Sequence, residues 1–275
     1  MLVAGFFFAI MNVLVKTIPE IPAIEVVFFR SLVSFIMSFG FLSYAKVPIF
    51  GNNKKLLIAR GLAGAIALSM YFYTLQNIPL ASAVTIQFLS PIFTSILGVF
   101  IVKEKVKSAQ WFFYLIAFAG VLVIQGFDPR ISVEMFLFGI TASVFSGLAY
   151  NFIRKINTEE HPLVIVFYFP LVTLPLAGIY VAFNWVTPQG SEWFILILIG
   201  LLTQIAQYFM TKSYQAEDLS KVASLKYLTI IYALGFGYIF FDESFTWQVY
   251  AGIVLIILGV ILNVVYKSSI KADSR

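Results

Sequence analysis

Residues 247–266 read WQVYAGIVLIILGVILNVVY, a run of twenty residues without one charged side chain. A membrane-spanning helix needs about 20 mostly apolar residues, whereas the strands of outer-membrane barrels are about ten residues long and alternate apolar with polar side chains. The run is too long and too continuously apolar for such a strand. It therefore predicts a helix that crosses a lipid bilayer.

The composition extends this interpretation to the whole chain. Of its 275 residues, 61% are hydrophobic and 11% are charged, and the mean hydropathy is +0.95. Soluble domains carry about a quarter charged residues because their surfaces must be solvated. We therefore predict an all-α integral membrane protein whose main partner is the lipid bilayer. Ten apolar runs predict ten transmembrane helices, at residues 2–18, 23–45, 56–76, 80–102, 109–126, 134–153, 162–184, 193–213, 219–241 and 247–266.

Several kinds of chemistry are excluded by what the chain lacks. It has no cysteine and a single histidine, His161, so disulfide scaffolds, thiolate nucleophiles and His-rich metal sites are excluded. No HExxH, GxSxG or GxxxxGK[ST] motif is present, which argues against a membrane enzyme and against an ATP-driven pump. We expect no enzymatic activity, no cofactor, no metal and no nucleic-acid partner.

The basic residues predict the orientation, since cytoplasmic loops of membrane proteins are enriched in Lys and Arg. Fifteen of the 18 basic residues are assigned to one side of the ten spans. They are Lys46, Lys54, Lys55, Arg60, Lys103, Lys105, Lys107, Arg154, Lys155, Lys212, Lys221, Lys226, Lys267, Lys271 and Arg275. We therefore expect a multi-pass protein of the inner (plasma) membrane with both termini in the cytoplasm.

The chain also matches itself at one constant shift, the one that carries Glu104 onto Glu243, which we call the repeat offset. The residues that coincide include polar and glycine pairs that chance rarely produces in so apolar a chain, namely Asn12 with Asn151, Lys16 with Lys155, Gly61 with Gly200, Gly98 with Gly237 and Gly120 with Gly259. Each copy holds five spans, an odd number, so the second copy enters the membrane from the opposite side. We predict two inverted repeats, residues 1–126 and 134–270. Secondary transporters use such repeats and bind substrate near the bilayer midplane between them.

Two matching stretches carry a family resemblance. Residues 80–124 read LASAVTIQFLSPIFTSILGVFIVKEKVKSAQWFFYLIAFAGVLVI, and residues 218–262 read DLSKVASLKYLTIIYALGFGYIFFDESFTWQVYAGIVLIILGVIL. The first resembles the end of an EamA domain of the drug/metabolite transporter superfamily, with Pro91, Gly98, Glu104 and Gly120 in the positions of that motif. The second is similar through Gly237, Glu243 and Gly259, but has Ile230 where the first has Pro91. The resemblance implies a ten-helix carrier, often an exporter of amino acids or other metabolites, that works without a bound cofactor.

Arg30 is the first candidate for substrate binding. It lies about a third of the way into the second span, where a charged side chain costs roughly 2.5 to 3.5 kcal/mol. A guanidinium there would hold a substrate carboxylate or phosphate through paired hydrogen bonds. The alternative is a structural pairing with a helix end or an acid, or snorkelling to the headgroups.

Lys226 and Gln87 form a second candidate pair, because the repeat offset relates them. They would approach the cavity from opposite sides if the repeats are inverted. The alternative for Lys226 is snorkelling to the cytoplasmic rim.

Asn12 and Asn151 are a third polar pair within predicted spans. Buried amides usually join neighbouring helices, so a structural role is favoured over substrate contact, with Tyr150 as a further polar wall. Other predicted lining residues are Tyr71, Tyr73, Gln204, Gln207 and Tyr208.

Structural or gating roles are predicted for the motif positions of the two repeats, which are Glu104, Glu243, Pro91, Gly98 and Gly237. The two glutamates are expected to bond helix ends, and the glycines to allow close helix approach.

The sequence thus predicts a secondary transporter that moves small polar metabolites such as amino acids, by export or exchange, through alternating access. Uptake or exchange of S-adenosylmethionine-like or nucleotide-type metabolites is the alternative, and a channel is a more distant one. No acidic residue lies deep in a predicted span, which argues for exchange or facilitated diffusion over proton coupling.

Overall fold

The computed structural model describes residues 2–103, 107–156, 160–216 and 228–273. These residues form eleven α-helices and no strand. The helices are α1 (Leu2–Lys16), α2 (Ala23–Tyr44), α3 (Lys54–Asn77), α4 (Leu80–Gln87), α5 (Ser90–Ile101), α6 (Ser108–Phe127), α7 (Val133–Ile156), α8 (Pro162–Phe183), α9 (Glu192–Ala216), α10 (Leu228–Phe241) and α11 (Trp247–Asp273). The expected all-α fold is therefore observed.

Local sequence signals explain several helix starts. The Asn53 side chain accepts a hydrogen bond from the Leu56 backbone N–H at 3.3 Å and so caps α3. Pro162 occupies the first turn of α8, where its missing N–H costs nothing. Each of these signals satisfies or removes one of the backbone donors that a helix start leaves without an intrahelical partner.

The predicted fourth span, residues 80–102, is broken into α4 and α5 at Phe88 and Leu89. Pro91 lacks an N–H and its ring crowds the carbonyl group four residues earlier. The neighbouring amides therefore make tighter i→i−3 bonds, from Phe88 to Thr85 and from Leu89 to Ile86, both at 3.0 Å. The break leaves backbone carbonyls within the bundle open to other partners.

Six segments among the described residues are long and apolar enough to cross a membrane, and four shorter helical segments are also apolar. Large apolar side chains point outward from these helices, including Phe100, Leu115, Phe183 and Phe194, which are 77%, 68%, 84% and 68% exposed. Such an apolar exterior fits a lipid environment and not a water-facing surface.

Glycines set the distances between packed helices. A Cβ atom on Gly61 of α3 would lie 2.8 Å from the Cβ of Val172 on α8. A Cβ on Gly200 of α9 would lie 2.5 Å from the Cβ of Val33 on α2. The repeat offset relates these two contacts to each other. Neither position accepts a larger residue, because the backbones approach too closely.

The final helices of the two halves, α6 and α11, show the same relation. A Cβ on Gly120 would lie 2.6 Å from the Gly252 carbonyl oxygen, and one on Gly259 would lie 2.7 Å from the Phe113 carbonyl oxygen. The repeat offset pairs Gly120 with Gly259, and Phe113 with Gly252. The two glycines thus allow the close helix contact expected from the sequence.

Candidate functional site

Arg30 lies inside the helix bundle, with only 4% of its surface exposed. Its Nε donates a hydrogen bond to Thr203 Oγ1 on α9 at 3.1 Å. Its guanidinium carbon lies 5.9 Å from the centroid of the Phe72 ring and 5.3 Å from that of Phe169. The Nη1 nitrogen is buried and has no hydrogen-bond partner among the described residues. Arg30 therefore presents an unused donor within an aromatic setting that joins α2, α3, α8 and α9.

Arg60 is counted above with the basic residues of the cytoplasmic side, and it also falls within the predicted third span, residues 56–76. The residue belongs to α3, roughly 9 Å along the helix axis from Lys54. Its guanidinium carbon lies 5.0 Å from the centroid of the Phe169 ring. Both Nε and Nη1 are buried, and within the described ranges neither has a hydrogen-bond partner.

A second arginine thus lies at the same aromatic ring as Arg30. Its place within the predicted third span, residues 56–76, is the sequence signal that points to it.

The two guanidinium groups have no acidic partner among the described residues. The salt bridges in that part of the chain join Lys16 to Glu243 and Arg130 to Asp128. Cation–π contacts with the rings of Phe72 and Phe169 compensate part of the burial, about 0.5 to 2 kcal/mol each. This is less than the cost of an unpaired buried charge, so the arrangement favours binding of an anion.

Asn12 and Tyr71 adjoin this cluster. Asn12 is 4% exposed, its Oδ1 is buried without a hydrogen-bond partner among the described residues, and its side chain lies close enough to the Tyr71 hydroxyl to interact with it electrostatically. The preceding residue, Met11, accepts a hydrogen bond from Thr203 Oγ1 at 3.0 Å. Tyr71 therefore precedes Phe72, which contacts Arg30, and Asn12 follows Met11, which contacts the hydrogen-bond partner of Arg30.

Tyr150 of α7 lies close enough to Arg60 for an electrostatic interaction between their side chains. It therefore extends the cluster to α7, and with Arg30, Arg60, Asn12 and Tyr71 it defines the site that we call the arginine site. Phe72, Phe169 and Thr203 complete it.

Gln87 and Asn151 lie elsewhere, where α7 packs on the break between α4 and α5. Gln87 Nε2 donates to Ser146 Oγ at 2.7 Å. Asn151 Nδ2 donates to the Thr94 carbonyl oxygen at 2.8 Å, and Ser143 Oγ donates to the Ile86 carbonyl oxygen at 2.9 Å. These bonds hold α7 against the broken helix. They support the structural role favoured for Asn151, and give Gln87 a structural partner in place of the arginine site.

The remaining predicted lining residues are scattered. Gln204 Nε2 donates to Ser38 Oγ at 3.2 Å, and Gln207 is half-buried. Tyr73 and Tyr208 are exposed on the outer surface of the bundle, at 40% and 51%. Tyr73 and Tyr208 therefore lie away from the arginine site, and Gln204, which follows Thr203 in sequence, joins α9 to α2. Lys226 and Glu104 lie outside the described residues.

Glu243 closes one end of the bundle. Both its carboxylate oxygens accept from the Leu80 backbone N–H at 2.9 Å, at the start of α4. Lys16 Nζ lies 3.4 Å from Oε1 of the same carboxylate. A Cβ on Gly237 would lie 2.6 Å from the Glu243 Oε2, so this glycine makes room for the carboxylate. Glu243 thus bonds a helix end, as its motif position predicts. Gly98 is buried within α5.

Sequence reasoning misses Phe169 and Thr203, because an aromatic or hydroxyl residue in an apolar run looks the same whether it faces lipid or a site. The repeat holds the missing signal. The repeat offset places Phe169 at the position of Arg30, and Thr203 at that of Gly64. A Cβ on Gly64 would lie 2.8 Å from Cδ2 of the Phe169 ring. The repeat offset therefore relates the contact between Arg30 and Thr203 to the contact between Phe169 and Gly64.

Known proteins are similar to this sequence over nearly its whole length. The pseudopaline exporter CntI of Pseudomonas aeruginosa is 30% identical over 94% of this chain and 92% of its own length. The mouse solute carrier family 35 member G1 is 31% identical over 93% of this chain and 74% of its own. The S-adenosylmethionine uptake transporter of Rickettsia felis is 27% identical over 93% and 87%, respectively.

A solved crystal structure shares the fold, with a TM-score of 0.65 and 19% sequence identity, over 94% of this chain and 93% of the other.

The sequence profile of the EamA-like transporter family matches residues 1–126 and 134–265. Together with the helical, lipid-compatible architecture, these matches establish that the chain is a multi-pass membrane protein of the EamA-like transporter family, within the drug/metabolite transporter superfamily.

Proposed function

We propose that the protein is a secondary transporter that exports or exchanges small polar metabolites such as amino acids across the inner membrane, by alternating access. The observation that carries the proposal is the arginine site. Arg30 is buried and Arg60 is half-buried, and both have buried N–H donors without partners among the described residues, where helices of the two halves meet. A carboxylate of the substrate would occupy the unused donors of Arg30, with a bidentate geometry that guanidinium groups favour.

Paired contacts support the inverted-repeat arrangement on which alternating access depends. Arg30 with Thr203 and Phe169 with Gly64 are one related pair, and Gly61 with Val172 and Gly200 with Val33 are another. In each case, shifting one residue forward and the other backward by the repeat offset turns one contact into the other. We propose that residues 1–126 and 134–270 are the two repeats, and that a pseudo-two-fold axis passes near the contact between Arg30 and Phe169. Rocking of helix bundles about such an axis would expose the site to each side in turn.

The proposed orientation places both termini in the cytoplasm, with ten spans. Even without Arg60, which lies within α3, the bias of the other fourteen basic residues is strong. Lys54 and Lys55 stay exposed at the start of α3, and Lys155 is exposed at the end of α7.

Transport of S-adenosylmethionine-like or nucleotide-type metabolites is the second candidate, and similarity to the Rickettsia felis uptake transporter favours it. S-adenosylmethionine has a carboxylate and nucleotides have phosphates, and a guanidinium group binds either through paired hydrogen bonds. The described residues place no acid in salt-bridge contact with Arg30 or Arg60. Charge thus favours an anionic group, and the identity of the substrate is decided by experiment.

Counterflow in proteoliposomes tests the proposal. The purified protein is reconstituted into vesicles loaded with one unlabelled amino acid or related carboxylate at a time, and entry of the same compound in radiolabelled form is followed. Saturable, competed accumulation is expected with at least one carboxylate and is lost in Arg30→Met. Arg130→Met is the matched control, because Arg130 also stacks on a phenylalanine ring, at 4.7 Å from the Phe245 centroid, but lies outside the arginine site. Flux that does not saturate would instead indicate a channel.

A further inference from the structure

The arginine site contains two cationic groups, not one. The guanidinium carbons of Arg30 and Arg60 lie 5.3 and 5.0 Å from the centroid of the same Phe169 ring, so one aromatic side chain contacts both cations. Each group keeps at least one buried nitrogen without a hydrogen-bond partner in the described part of the chain. Two like charges held at one ring repel each other. The unused N–H donors are the groups that have no partner to offset this repulsion.

Each buried carboxylate of the described residues makes at least one bond elsewhere, although Glu25 Oε1 is buried without a hydrogen-bond partner. Glu25 Oε2 accepts from the Val186 backbone N–H at 3.1 Å, and Glu160 Oε1 accepts from the Asn53 backbone N–H at 2.6 Å. Asp128 is paired with Arg130 at 2.8 Å, and Glu243 caps α4. Thr203, which accepts the hydrogen bond of Arg30 Nε, is neutral. Within the described part of the chain, the positive charge of the site is therefore uncompensated.

We propose that the transported ligand carries two carboxylates, and that Arg30 binds one while Arg60 binds the other. This assignment rests on the proposed function and narrows its substrate class to dicarboxylates, including acidic amino acids. A ligand with one carboxylate leaves one guanidinium buried and unpaired, whereas a dicarboxylate neutralises both. Arg60 is thus a specificity-determining residue that distinguishes dianions from monoanions of the same length.

The test compares two probes that differ only in one charge. Glutarate has a carboxylate at each end, and glutaramate, its monoamide, has the same length with a neutral amide at one end. Affinities are measured from the thermal stabilisation of the purified full-length protein in detergent, because a ligand that binds the folded state stabilises it by mass action. Glutarate is expected to bind about tenfold or more tightly than glutaramate, the gain typical of one added hydrogen-bonded charge.

Variants at Arg60 then test whether this residue binds the second carboxylate of the ligand. Arg60→Met is expected to weaken glutarate about tenfold, to the level of glutaramate, and to change glutaramate affinity by less than about twofold. Arg60→Lys keeps the charge and is expected to retain part of the preference for glutarate. Arg130→Met keeps the full preference, since Arg130 lies outside the site.

Three results would overturn the assignment: equal affinity of the unmodified protein for both probes, equal weakening of both probes by Arg60→Met, or no binding of either probe at millimolar concentration. Equal weakening combined with loss of all carboxylate binding in Arg30→Met leaves the carrier proposal standing with a monoanionic substrate. Absence of counterflow with every carboxylate and amino acid tested removes the proposed function itself, and the two failures are therefore distinguishable.

Discussion

Arg60 has two buried nitrogens without hydrogen-bond partners and forms no salt bridge with any residue that the structure describes. A charge that is kept for ligand binding destabilises the ligand-free protein, because the cost of its desolvation is offset only when the ligand binds. We therefore expect Arg60→Met to raise the free energy of unfolding of the ligand-free protein by about 1 kcal/mol or more, measured as a higher melting temperature in detergent.

Arg130→Met is the comparison for this prediction. Arg130 is 40% exposed but its partner Asp128 is only 1% exposed, so its removal leaves a buried carboxylate without its cation and is expected to lower stability by about 1 to 3 kcal/mol. A melting temperature of Arg60→Met below that of Arg130→Met would mean that the Arg60 guanidinium already has a structural partner and is not left unpaired for a ligand.

Gly64 positions the aromatic ring that both arginines share. A Cβ added there would lie 2.8 Å from the ring of Phe169, so Gly64→Ala is expected to displace the ring, to cost about 1 to 3 kcal/mol through overpacking and to reduce counterflow. Gly40→Ala in α2 is the matched control, because a Cβ at Gly40 meets nothing within 4 Å. Gly40→Ala is expected to be neutral or to stabilise by up to about 1 kcal/mol. Equal loss in both variants would contradict this role of Gly64.

At the scale of the helices, the carboxylate of Glu243 joins three elements: it caps α4, pairs with Lys16 of α1 and lies in the connection between α10 and α11. The carboxylate and the ammonium group are 7% and 13% exposed, so their coupling is less screened than that of a surface pair. We expect Glu243→Gln to lower the free energy of unfolding by about 1 to 3 kcal/mol.

A double-mutant cycle with Lys16→Met separates the ion pair from the helix cap. A coupling energy of about 1 kcal/mol or more is expected, and Glu20→Gln, at an exposed loop position, serves as the control. A coupling near zero would assign the whole effect of Glu243→Gln to its bonds with the Leu80 backbone N–H.

The helices themselves can be predicted closely because their signals are local. The second span is expected at residues 23–45 and is observed as Ala23–Tyr44, since the length of an apolar run and the residues that end it lie next to each other in sequence. The break before Pro91 escapes prediction, because a proline inside an apolar run is compatible with a kinked continuous helix as well as with two helices.

The arginine site is only partly predictable. Arg30 and Asn12 stand out as polar residues in apolar runs, whereas Phe169 and Phe72 do not, since only packing decides which aromatic residues face lipid and which face a charge. Arg60 lies inside the predicted third span, but beside Lys54 and Lys55 it resembles the basic residues that mark a cytoplasmic span end, so the sequence does not single it out as a site residue. The repeat predicts that Gln87 lies at the depth of the substrate site. In the structure its side chain donates a hydrogen bond to Ser146 beside the broken helix.

At the scale of the whole molecule, an inverted repeat makes a prediction that a parallel repeat does not share: residues related by the repeat offset lie on opposite sides of the membrane. Asn52 and Ser191 are such a pair, and both are exposed in connections between helices. The protein has no cysteine, so single cysteines can be introduced without a background. With both termini in the cytoplasm, Asn52→Cys is expected to react with a membrane-impermeant maleimide only in inside-out vesicles, and Ser191→Cys only in right-side-out vesicles. Labelling of both from the same side would mean that the repeats are parallel, and the proposed pseudo-two-fold axis in the membrane plane would then be wrong.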